Sequence, residues 1–229
     1  MKRGCLTTLV VFALGIGVLV AGYWYKYPNY TYRYRLTVNI EIDGKVHSGS
    51  SVIEVTWSKH PELPNAGSFS PILRGQAAMV DLGERGVVVA TLINGESYGP
   101  AKDGALGALW VCAEAFGNRS TYEEIPSLPK LRGKRDLALD KLPRFLWFSN
   151  PQDPTTAKIL LMRDIPSIFG PSARFAGASV EITSDPIVID INRKLTWFQS
   201  WSDHYRDRGP MYLQNNLALS RYMFVGDAS

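Results

Sequence analysis

The chain has 229 residues, of which 45% are hydrophobic and 20% charged. That balance excludes a disordered or low-complexity polypeptide and leaves room for one large domain or two small ones. The pI is near 9.0, yet removing residues 1–25 takes away only Lys2 and Arg3, leaving 23 basic against 21 acidic residues, a net of +2. Nucleic-acid binding is therefore not expected, because it needs basic charge gathered on one face.

The first element is apolar. Residues 5–22 carry no charge, and 18 helical residues span about 27 Å, close to the hydrocarbon thickness of a bilayer. Tyr23, Trp24, Tyr25 and Tyr27 follow, and such rings prefer the headgroup level. Residues 5–25 thus read as a retained membrane anchor. The rival is a cleaved export signal with Val20 and Gly22 before the cut, although its apolar core would be shorter. Lys2 and Arg3 precede the segment, while Lys26, Arg33 and Arg35 follow it, so charge counting is nearly a tie. The short tail, residues 1–4, and the likeness to an uncleaved export signal favour a cytosolic N-terminus. The body would then be periplasmic or extracytoplasmic, held at the plasma (inner) membrane. Ala13, Gly17 and Ala21 share one helix face, a spacing that lets two helices approach closely in lipid. Self-association through them is the partner expectation for this segment.

Residues 30–57 alternate. Tyr30, Tyr32, Tyr34, Leu36, Val38 and Ile40 point one way, and Thr31, Arg33, Arg35, Thr37 and Asn39 the other. This is the period of a half-buried strand. Asp43-Gly44 suits a two-residue type I′ turn into a second strand, Val46 to Trp57. Such a loop predicts the register: Tyr34 faces Ile53, Tyr32 faces Val55, Tyr30 faces Trp57, and Arg33 meets Glu54 on the polar face. An exposed sheet edge or aromatic groove near Tyr30–Tyr34 is the expected contact surface.

A second hairpin is expected over 76–93, turning near Gly83–Gly86. Its outgoing strand, Val87 to Ile93, is apolar on both faces and therefore central. Residues 105–116 are apolar almost throughout and lean towards strand. The stretch 117–154 reads as an irregular connection with a short helix around 136–142. Strands are expected over 157–163 and 173–183. Asp185-Pro186 then starts a helix through Ile187, Ile191, Leu195 and Phe198, and a last helix covers 211–222. The fold class is α+β, predominantly antiparallel β, with one N-terminal transmembrane helix. The body, residues 30–225, is one domain, with sub-lobes 30–116 and 155–225 as the alternative division.

Candidate chemistry is sparse. His47, His60 and His204 stand in no metal-binding arrangement. His47 belongs on the hairpin opposite Ile40, and His60 reads as a loop residue before Pro61. The Asp203–His204 region is the densest polar and aromatic cluster, where a carboxylate could tune a general base, but sequence neighbours do not face one another. Ser127 and Lys130 match a Ser-x-x-Lys pattern, which Pro126 and Pro129 argue against placing on a helix. Lys130, Arg132, Lys134 and Arg135 read as a solvated loop or, more sharply, as a contact with anionic headgroups. Asn118-Arg119-Ser120 is a glycosylation sequon in form only. Cys5 and Cys112 are too far apart in topology for a disulfide if Cys5 lies at the membrane boundary. No residue is assigned a catalytic, cofactor-binding or metal-binding role, and no cofactor is expected.

The stretch YRYRLTVNIEIDGKVHSGSSVIEV resembles a group of uncharacterised bacterial membrane-anchored or exported proteins, in which a short apolar leader precedes a similar tyrosine-rich hairpin. The resemblance covers the leader and residues 30–95. It implies a bacterial envelope setting and no site residues. The leading functional expectation is a single-pass membrane protein with a non-catalytic extracytoplasmic binding or scaffolding domain. The alternatives are an envelope hydrolase using Asp203–His204, or an accessory subunit acting through its membrane helix.

Overall fold

A computed structural model describes residues 2–63, 67–94 and 106–226. Helix α1 (Lys2–Lys26) leads through two residues into β1 (Asn29–Ile42), which turns into β2 (Lys45–Leu63). Asp43 and Gly44 have φ of 52° and 75°, the left-handed pair that a type I′ turn requires. The register is the one the turn predicts, with Tyr34 opposite Ile53, Tyr32 opposite Val55, Tyr30 opposite Trp57 and Arg33 opposite Glu54.

Strand β3 (Gly67–Arg74) pairs with β2, and the chain then bends into β4 (Ala78–Asp81) and β5 (Val87–Asn94). Helix α2 (Leu106–Ala115), a 3-10 segment Tyr122–Lys130 and the short β6 (Lys134–Asp136) follow. After them come β7 (Pro143–Phe148), β8 (Ala157–Ile159), α3 (Ile165–Phe169) and β9 (Arg174–Ile182). The C-terminal part holds α4 (Phe198–Asp203), α5 (Tyr205–Arg208) and a two-stranded ladder of β10 (Met211–Tyr212) with β11 (Ala218–Leu219). One sheet has the order β3-β2-β1-β9-β6 and another β4-β5-β7-β8. The named strand pairs are all antiparallel. The body is thus α+β and mostly antiparallel. Because β9 lies beside β1, residues 30–116 and 155–225 share one sheet.

The two sheets pack face to face. They come closest where β4 crosses β2, since a Cβ on Gly49 would collide with the backbone of Met79 and Val80. Towards Trp57 the sheets part, and α2 fills the wedge. Ala108, Leu109, Cys112 and Ala113 join Tyr34, Val55 and Trp57 from the first sheet and Val88, Ala90, Leu92 and Phe145 from the second. The opposite face of the second sheet carries Val87, Val89, Ile93, Leu146 and Phe148, which are covered by Leu195, Phe198, Trp201, Leu217 and Phe224. Strand β5 is therefore buried on both sides, as its apolar residues on both faces predict.

Several expectations are corrected. Residues 106–115 form a helix, not a strand. The segment is rich in Ala and Leu with one β-branched residue, Val111, and burial all round it erases the periodicity that would mark a helix. The stretch 117–154 contains β7, a strand (PRFLWF) apolar but for Arg144 and paired with both β5 and β8, whose proline sits at its first position, where no ladder bond is lost. Residues 183–190 form no helix but a strap without regular structure, as the consecutive β-branched Ile187, Val188 and Ile189 favour. The tail over 211–222 is a small ladder and a 3-10 turn, since Gly209-Pro210 and Asn215-Asn216 break any longer helix. His60 lies within β2 and not in a loop.

Candidate membrane-facing surface

The described side chains of α1 are those from Phe12 onward, and they pack on nothing. Phe12 is 69% exposed, Leu14 65%, Val18 71%, Leu19 74% and Trp24 66%. These positions lie all around the helix, so no face is turned inward. A shallow groove between Phe12, Gly15, Ile16 and Leu19 belongs to this single helix and encloses no site. Among the described residues no helix is long and apolar enough to cross a membrane. Tyr23 and Tyr27 rings stand 5.0 Å apart, and Lys26 Nζ lies 5.6 Å from the Tyr27 ring centroid. Ala13, Gly17 and Ala21 are exposed, with open space where a Gly17 Cβ would project.

The sheet end nearest α1 is closed by the 3-10 segment 122–130. Tyr122 stacks on Phe69 at 6.0 Å and meets the Trp57 edge at 6.2 Å. Ile125 and Leu128, three apart and so on one side of a 3-10 helix, are fully buried. Tyr122, Pro126, Ser127 and Lys130 face outward. The segment then delivers the chain to β6 on the far side of the sheet. The turn between them and β6 itself present Lys130, Arg132, Lys134 and Arg135, all exposed. None of the four has an ion-pair partner among the described residues. Arg132 donates to the carbonyls of Pro129 at 2.8 Å and Leu131 at 2.6 Å, and Arg135 lies 5.0 Å above the Phe116 ring. This block is part edge strand, where the sequence suggested a loop.

The aromatic groove expected near Tyr30–Tyr34 does not open outward. Tyr34 is fully buried and Tyr32 nearly so, because their face of the hairpin meets α2. The Tyr34 hydroxyl donates to the Ala108 carbonyl at 2.5 Å, and Tyr32 donates to Leu109 at 3.0 Å. Burial pushes both phenols well above their ordinary pKa. The polar face of the same strands is open. There Arg33 pairs with Glu54 at 2.6 Å, Arg74 approaches the same carboxylate at 3.8 Å, and Arg35 pairs with Asp185.

The other candidates from the sequence are dispersed. His47 lies opposite Ile40 and bonds the Asp81 carbonyl at 3.2 Å. His60 is held between the Pro61 carbonyl and Ser70 Oγ, at 2.9 and 3.0 Å. His204 Nδ1 donates to the Ser200 carbonyl one turn earlier at 2.8 Å, while Asp203 accepts from Gln199 at 2.7 Å. The two neighbours thus serve their own helix and are not bonded to each other. Ser127 and Lys130 do share a 3-10 helix despite the prolines, which sit on its exposed side. The Ser127 hydroxyl, however, donates to the Glu124 carbonyl at 2.7 Å. Cys112 is free and buried, and burial raises its thiol to about 12. Among the described residues no group of three His, Cys, Asp or Glu side chains is placed to hold a metal ion.

Two features escape a reading of the sequence. One is the closing of the sheet end by residues 122–130, whose two prolines signalled a loop. The other is the strap 183–190. It is pinned at one end by Arg35 on Asp185 and at the other by Gln76, which accepts from the Asp190 and Ile191 amides at 2.8 and 2.9 Å. Comparison of the chain with protein-family models, with curated proteins and with solved structures finds no match in any of the three.

Proposed function

We propose that this chain is a single-pass envelope protein, with residues 5–25 in the bilayer, residues 1–4 cytosolic and the sheet-rich body displayed outside as a non-catalytic binding or scaffolding domain. One observation carries the reading: the side chains of α1 from Phe12 to Tyr25 are apolar or aromatic in the main, exposed on every side, and unsupported by the body. Leaving such a surface in water would cost about 25 cal/mol for every Å² of apolar area, a penalty that lipid removes. The aromatic run Tyr23–Tyr27 then marks the interface. Binding is favoured over hydrolysis because Asp203 and His204 are engaged within their own helix.

The test is fractionation of intact cells. The full chain should stay with membranes after alkaline carbonate washing, and a variant lacking residues 1–25 should be released. A C-terminal reporter should be active only outside the cytosol. Recovery of the full chain in the soluble fraction would overturn the anchor, and cytosolic reporter activity would overturn the topology.

A further inference from the structure

The basic block of residues 130–135 has a defined place relative to the point where the chain leaves α1. Both β1 and β6 run antiparallel to β9, so they run in the same direction. Arg35 and Lys134 share one partner, Glu181. Arg35 is six residues beyond the start of β1, or about 20 Å along a strand. Residues 130–133 precede Lys134 and therefore run back towards that start. The 3-10 segment crosses the same sheet end from Tyr122, beside β2 and β3, to Lys130, beside β6. The end of the body nearest α1 is thus bordered by an exposed tyrosine, 50% accessible, and by a run of cations.

Within the block the charge is of one sign. Glu123 and Glu124 stand at the Tyr122 end and Asp136 beyond the block. Between them four cations occur in six residues with no acidic residue. Glu181 is the register partner of Lys134 but makes no ion pair with it. Only Tyr27 and Pro28 separate α1 from β1, so this end cannot move far from wherever α1 is fixed.

Resting on the anchored reading above, the geometry points to a second membrane contact: the sheet end bearing Tyr122, Lys130 and Arg132 seats on an anionic phospholipid surface beside the anchor. An amphipathic ring beside a cluster of cations suits the headgroup layer, where each Lys or Arg near the surface adds to attraction for anionic lipid. A short tether supplies the second half of the argument, since it holds the cations at high effective concentration beside the surface.

The full chain would be reconstituted into vesicles of phosphatidylcholine, with and without added phosphatidylglycerol. Amide hydrogen exchange is then followed over residues 119–136, and flotation after carbonate washing is read on the same samples. Exchange should slow by about threefold or more in the anionic vesicles. High salt should remove the effect, as should the double variant Lys130→Gln, Arg132→Gln, whose exposed substitutions leave the core untouched. Flotation with equal exchange in both lipids would overturn the seating and leave the anchor standing. Absence of flotation would overturn both readings together.

Discussion

The phenol of Tyr34 and the carbonyl of Ala108 are joined by a 2.5 Å hydrogen bond across the core. They lie on the first sheet and on α2, 74 residues apart. Tyr32 and Leu109 repeat the arrangement one step along each element, at 3.0 Å. The pair of bonds explains how two tyrosines enter an apolar interior without stranded hydroxyls.

Replacing either tyrosine by phenylalanine should destabilise the body by about 1 kcal/mol, because the carbonyl keeps its helical partner and only the phenol's own bond is lost. The double variant should cost less than a fully independent sum, since both bonds dock one helix. Thermal or urea unfolding in detergent measures this.

Two glycines should separate local from tertiary effects. Gly44→Ala forces a side chain into the left-handed region at φ 75° and should cost about 1 kcal/mol. Gly49→Ala drives a Cβ into the backbone of Met79 where the sheets meet, and about 3 kcal/mol or more is expected. Equal losses would mean that β4 does not cross β2 at this point.

Gln76 should be the most sensitive polar residue in the described body. Its buried amide accepts from two backbone amides and donates to Asp190 at 2.8 Å. Gln76→Ala strands those amides and should cost about 2–4 kcal/mol. Limited proteolysis should then cut within the exposed strap, near Val188 and Ile189, at a rate the parent chain does not show.

Stability should fall on the alkaline side. Burial raises Cys112 from 9.0 to about 12, and it raises Tyr32 and Tyr34 above the ordinary 10.0. The unfolded chain therefore loses these protons first, so their contribution is complete below about pH 9 and declines as pH climbs towards the folded values. The midpoint of unfolding should drop as pH rises from about 9 towards about 12. Cys112→Ala should make the early part of that drop shallower. In the folded protein Cys112 should resist thiol reagents near neutral pH and react on unfolding.

What was legible in the sequence was whatever short-range physics decides. The Asp43-Gly44 turn and the strict alternation on either side set the register of β1 and β2, because a two-residue loop leaves no freedom in pairing and a slip would expose every buried side chain. Apolar residues on both faces of 87–93 marked a covered strand, and the charge-free stretch before Tyr23 marked a segment with no place in the core. The tertiary structure decided the rest. Helix α2 is apolar all round, so its period was silent until the wedge between the sheets gave it a site. Tyr32 and Tyr34 looked like an outward groove because their donors' partners are carbonyls some 75 residues away. Strand β7 and the strap hold their shape through β5, β8, Arg35 and Gln76, partners that no window of neighbouring residues contains.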